Sequence, residues 1–135
     1  MTTKSPTEFA QAWLTAWNNH DVEAVLEHFT EDVVFRSPAA IQLLADSDGV
    51  FRGKSELRQY WSEALVKVPD LRFELLGAYG GVDALVIHYR NQKGGLVNEV
   101  LLFSADGLVH EGYGTYLVTA SDDLAANGNL AGATK

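Results

Sequence analysis

The sequence predicts an α+β domain in which three helices near the N-terminus pack on a strongly curved, mostly antiparallel sheet. Two observations predict it. Apolar residues recur at helical spacing through the first half of the chain, and after Pro69 four strand-like runs follow, joined by short glycine-bearing turns. Hairpins that follow a helical block exclude the alternating βαβ order of a doubly wound parallel sheet. With 135 residues, 47% of them hydrophobic, residues 1–118 form one domain able to bury a core unaided. A tail over 119–135 is rich in Ala, Gly, Asn and Asp.

The first helix is announced by its start. Ser5 is placed as N-cap, Pro6 at the first helical position, and Glu8 closes a capping box. Phe9, Trp13 and Trp17, with Ala10 and Leu14, then form one broad apolar face, which Asn18-Asn19-His20 ends. Asp21 caps a short second helix whose buried stripe is Val22, Val25, Leu26 and Phe29. Val33-Val34-Phe35 is a strand stopped at Ser37-Pro38, since proline cannot donate to a ladder. The third helix, Gly53 to Lys67, turns Leu57, Tyr60, Trp61, Ala64 and Leu65 inward. Strands follow at Leu71–Ala78, Ala84–Arg90, Leu96–Phe103 and Leu108–Val118, with turns at Gly80-Gly81, Lys93-Gly94 and Ala105-Asp106-Gly107.

Charge and composition exclude several functions. Eighteen acidic against ten basic residues give a net charge of −8, which argues against a nucleic-acid or anionic-membrane partner. Without cysteine there is neither a disulfide nor thiol chemistry. His20, His28, His88 and His110 lack the paired spacing of a zinc site, and Gly53-Lys54-Ser55 lacks the glycine and βαβ setting of a phosphate loop, so no metal or cofactor is expected. The N-terminus has no apolar signal core and no stretch approaches 18 apolar residues, so a soluble, cytoplasmic protein is expected.

Four segments carry a resemblance: Ala16-Trp17-Asn18-Asn19-His20-Asp21, Phe29-Thr30-Glu31-Asp32-Val33-Val34-Phe35, Phe51-Arg52-Gly53-Lys54 and Asp106-Gly107-Leu108-Val109. Over residues 8 to 118, the order of elements and these segments resemble the nuclear transport factor 2-like superfamily. It includes ketosteroid isomerase and the SnoaL-type polyketide cyclases. The resemblance implies a cone-shaped, cystatin-like α+β barrel enclosing an apolar pocket, and says little of activity, because one scaffold hosts many chemistries. Where the isomerase carries its aspartate base, its oxyanion-hole tyrosine and its protonated aspartate, this chain has Ser37, Trp13 and Leu101. A steroid isomerase of the usual mechanism is therefore not expected.

Strand alternation then selects candidates within the cone. A two-residue turn at Lys93-Gly94 puts His88 opposite Glu99, on a face shared with Val86, Arg90, Leu101 and Phe103. A three-residue turn at Ala105-Asp106-Gly107 puts Tyr113 opposite Glu99, with Glu111 two residues away. His88, Glu99 and Tyr113 are the candidate catalytic groups, because a buried histidine–carboxylate pair suits acid–base work; the alternative is that the pair simply satisfies itself or lies at the wet rim. Trp13, Trp17, Phe29, Phe35, Ser37, Trp61, Val86, Leu101, Phe103 and Glu111 are the candidate substrate contacts, the tryptophans as core or pocket wall. His20 and His28 are expected at solvent-facing helix ends, and Arg36, on the face opposite Ser37, in a salt bridge.

Ile87, Tyr89, Val100 and Leu102 would cover the outer face and join a homodimer. The apolar loop within 38–50 would serve as a lid or a dimer contact. The function expected is binding of a small apolar or aromatic molecule, with cofactor-independent isomerase, dehydratase or cyclase chemistry. The alternative is a non-catalytic ligand-binding or dimeric assembly module.

Overall fold

The computed structural model describes residues 4–44 and 46–119; most of the 119–135 tail lies outside them. Helix α1 (Pro6–Asn18) starts as its sequence dictates. The Ser5 hydroxyl accepts from the Glu8 N–H and the Glu8 carboxylate accepts from the Ser5 N–H, a complete capping box with Pro6 at N1. Helix α2 (Val22–Leu26) is capped by Asp21, whose Oδ1 accepts from the Ala24 N–H. Strand β1 (Phe29–Arg36) begins earlier than its apolar core suggests, so Phe29 belongs to the sheet and not to the α2 stripe.

After β1 comes a five-residue helix, α3 (Ala39–Leu43), absent from the sequence expectation because one turn leaves no periodic trace. Strand β2 (Val50–Arg52), also unexpected, pairs antiparallel with β1 and leads into α4 (Gly53–Lys67). There are thus four helices among the described residues, not three. The long hairpin strands are β3 (Glu74–Gly81), β4 (Ala84–Arg90), β5 (Leu96–Phe103) and β6 (Val109–Tyr116).

One six-stranded sheet results, in the order β2-β1-β6-β5-β4-β3, antiparallel at every junction except β1–β6. Its inner face meets α1 and α4 through Phe9, Trp13, Leu14 and Trp17 from one helix and Leu57, Tyr60, Trp61 and Ala64 from the other, all buried. Trp61 is the hub, with edge-on ring contacts to Trp17 at 5.0 Å and to Phe29 and Phe35 at 5.5 Å.

Register decides which side chains enter the cone, and at two points it departs from expectation. The β4–β5 turn closes with an Asn91 N–H to Gly95 O bond, around Gln92-Lys93-Gly94 with Gly94 at φ +86°. This loop has three residues, not two, and Asn91 Oδ1 secures it by accepting from the Lys93 and Gly95 N–H groups. Ile87, not His88, therefore faces Glu99. At the β5–β6 turn Gly107 is left-handed and Phe103 pairs with Val109, but a bulge follows. The extra residue, His110, shifts the ladder by one, so that Gly114 faces Glu99 and Tyr113 faces Val100.

Among the described residues no helix is long and apolar enough to cross a membrane.

Candidate active site

A cavity of about 290 Å³ opens between α1, α3, α4 and the inner sheet face. Its walls are aromatic: Trp13 and Trp17 from α1, Tyr60 and Trp61 from α4, Phe35 from β1 and Phe73 from the segment before β3. Phe73 is held in place by Asn18, whose side-chain amide accepts from the Phe73 N–H at 2.7 Å and donates to its carbonyl at 2.9 Å. That amide imitates a strand partner where the ladder has not yet begun. Exposed Gln42, Lys67, Asp70 and Lys93 also line the cavity and mark its mouth.

Glu99 lies at the floor, 5% exposed, on the middle of β5. Its Oε1 accepts from the Tyr89 hydroxyl at 3.1 Å. Burial pushes the Glu99 carboxyl up to about 8, and the Tyr89 hydroxyl offsets this only in part. Among the described residues no cation pairs with it. At pH 7 the group is thus about nine-tenths protonated, a neutral acid in an aromatic box.

Three phenols surround it. Burial raises Tyr89 well above the ordinary phenol range, raises Tyr60 to about 12 and raises Tyr116 as well, so all three are O–H donors at neutral pH. The Ser37 hydroxyl works against that rise at both Tyr60 and Tyr116, which places these three hydroxyls close together at the end of β1. Opposite Glu99, Gly114 leaves the floor open: a Cβ there would stand 3.5 Å from Ser37 Oγ and 3.8 Å from the Tyr116 ring. The cluster is one titratable carboxyl amid hydroxyl donors, an arrangement that can accept a proton from carbon and stabilise an oxyanion nearby.

Of the sequence candidates, Glu99, Trp13, Trp17, Phe35, Ser37 and Trp61 meet at this cavity. The others do not. His88 is on the outer face, its Nδ1 2.8 Å from Asn98 Oδ1, so His88 and Glu99 lie on opposite sides of the sheet and form no pair. Tyr113 is also outside, donating to Glu111 Oε2, which is in turn bound by Arg36 at 2.8 Å. Glu111 is therefore a salt-bridge partner, as expected for Arg36 but not for itself. Val86 shares that outer face, while Leu101 and Phe29 are sealed in the core and do not reach the cavity. Phe103 faces inward but packs edge-on against Phe9 beside a separate hollow of about 250 Å³. His28 is not solvent-facing: it packs against Phe9 at 4.8 Å, and burial lowers its pKa.

Tyr89, expected on the outer face, instead donates to Glu99, because the one-residue slip turns all of β4 over; Ile87 turns inward with it. Tyr60 and Tyr116 carried no motif. The available signal was Gly112 and Gly114 alternating on β6, small residues that leave one face free for larger neighbours.

A SnoaL-like domain model matches residues 10–107, most of the fold just described. The chain belongs to the SnoaL-like family. A SnoaL-like protein of unknown function from Burkholderia thailandensis is 38% identical, with a TM-score of 0.79 over 87% of this chain and 99% of that one. A Methylobium petroleophilum protein with a cystatin-like fold, also of unknown function, is 16% identical, with a TM-score of 0.65 over 84% of this chain and 76% of that one. A protein described as a polyketide cyclase from Sinorhizobium meliloti is 14% identical, with a TM-score of 0.64 over 82% of this chain and 99% of that one. At these low identities the last two share the fold. No curated protein matches the chain.

Proposed function

We propose that this SnoaL-like protein binds a small aromatic or apolar carbonyl compound and catalyses proton transfer at the carbon next to the carbonyl, with Glu99 as the base. One observation carries the reading: among the described residues Glu99 is the sole carboxyl at the floor of an aromatic cavity, and burial holds its pKa near 8. A carboxylate of that basicity removes a carbon-bound proton far better than an exposed one.

The step is balanced without a cofactor. The C–H bond breaks, its proton goes to the Glu99 carboxylate, and its electron pair passes into an enolate whose oxygen accepts from the Tyr60 or Tyr116 hydroxyl. Protonated Glu99 then returns the proton to carbon or to a leaving group. Isomerisation, dehydration and aldol-type cyclisation all share this enolisation.

The test uses 2-tetralone, a neutral aromatic ketone, incubated with the protein in deuterated buffer while loss of its α-protons is followed by NMR. Exchange should be accelerated, should rise with pH through a midpoint near 8 toward a plateau, and should fall by about 10²-fold or more in Glu99→Gln. Saturable binding with no exchange above buffer would overturn the catalytic reading in favour of a binding module.

A further inference from the structure

The charges at the cavity mouth say more about the ligand than its walls do. Elsewhere on this acidic chain, Arg36, Lys54, Arg58 and Arg90 are each ion-paired with a glutamate. Lys67 and Lys93 line the cavity, and among the described residues neither has a carboxylate within ion-pair distance. They come from separate elements, the C-terminal end of α4 and the tip of the β4–β5 turn. Lys67 spends one of its three protons on Leu43 O at 2.7 Å, and it lies between this cavity and a second, shallower hollow that carries Asp46, Asp48, Glu56 and Glu63, none of them within ion-pair distance. Both lysines are exposed, whereas Glu99 is buried.

We infer that the ligand is an aromatic carboxylic acid, held with its ring among Trp13, Trp17, Trp61 and Phe73 and its carboxylate at the lysine-bearing mouth. The inference rests on the cavity being a small-molecule site. Asp70 shares the mouth, so the exposed charged residues that line this cavity, two lysines and one aspartate, sum to about +1, and the acidic hollow beyond Lys67 lowers the local potential further, which suits a monoanion better than a phosphate dianion. The carboxylate would also fix orientation. Its attraction to the mouth directs the uncharged, enolisable end of the ligand to the floor.

Calorimetric titration with 2-naphthylacetate, its uncharged amide 2-naphthylacetamide, and 2-naphthyl phosphate tests this. The acid should bind about tenfold more tightly than the amide at low salt, and the ratio should shrink as salt is added. In the Lys67→Met/Lys93→Met double variant the ratio should fall to about one. Lys93→Met alone should lower it without disturbing the Lys67 link to α3. Saturable amide binding with no preference for the acid overturns this inference and leaves the cavity reading intact. So does an acid preference that survives the double variant, and tighter binding of the phosphate overturns the carboxylate assignment. Failure of all three compounds to bind overturns the cavity reading with it.

Discussion

Replacing Glu99 by Gln should make the protein less pH-sensitive and, at neutral pH and above, more stable. In the unfolded chain the carboxyl titrates near 4.5, and in the fold burial moves it to about 8. Between those values the native state holds a proton that the unfolded state releases, so stability falls as pH rises. The stabilisation is fully present below about 4.5 and is lost as pH climbs through 8. Each unit is worth about 1.4 kcal/mol, which amounts to about 3 kcal/mol lost between pH 5 and pH 8. Gln is isosteric with the neutral acid, its carbonyl can still accept from Tyr89, and it has no proton to lose.

Urea unfolding of both proteins at several pH values isolates the effect. Every other group, including the lowered Glu23, Glu111 and His28, is common to the two and cancels in the difference. The two midpoints should lie close together at pH 5 and diverge by about 1.5 M in favour of Gln by pH 8, taking a slope of about 2 kcal/mol per molar urea. A difference that stays constant across this range would mean that Glu99 is already ionised in the folded protein at pH 5. The acid–base argument would then fail.

The remaining predictions follow from register and packing. Gly112→Ala puts a Cβ 2.7 Å from the Phe35 ring and should destabilise by about 1–3 kcal/mol, whereas Gly114→Ala meets ordinary contacts and should fold normally while weakening 2-tetralone binding; urea midpoints and titration separate the two. His88→Asn should leave proton exchange within twofold, because His88 faces away from the cavity. Tyr89→Phe removes a donor that lowers the Glu99 pKa, so the exchange-rate profile should rise at higher pH than in the native protein. We propose that the outer face, where Val86, Val100 and Tyr113 lie in one cross-strand row, joins two copies of the chain. Sedimentation equilibrium should find a dimer that Val100→Glu dissociates, and a native monomer at micromolar concentration would refute it.

Local chemistry was legible in the sequence and long-range pairing was not. Ser5, Pro6 and Glu8 specify a helix start by themselves, and the structure has that start bond for bond. The turn at Gln92-Lys93-Gly94 is different. A two-residue and a three-residue loop both use Gly94, and the choice depends on Asn91 closing the wider one. A bulge at His110 leaves no compositional mark at all. Each is a displacement of one residue, and each inverts a whole strand. That is why His88 and Tyr113 went outside and Tyr89 came in.

Glu99 survived both errors because alternation within β5 does not depend on its neighbours. Val97, Glu99 and Leu101 share a face however β4 and β6 are registered, and Val97 and Leu101 have to be buried. The position matters beyond packing. The resemblance to the isomerase left its acid position occupied by Leu101, yet a carboxyl stands on the same face of the same strand, one pleat away. With no cation paired to it among the described residues, the buried carboxyl is best accommodated as the neutral acid, so the fold favours the protonated form. The burial that destabilises the protein at neutral pH is the same burial that makes the Glu99 carboxylate basic. Stability and reactivity are opposed at this one residue, and a variant that gains the first by Glu99→Gln should lose the second.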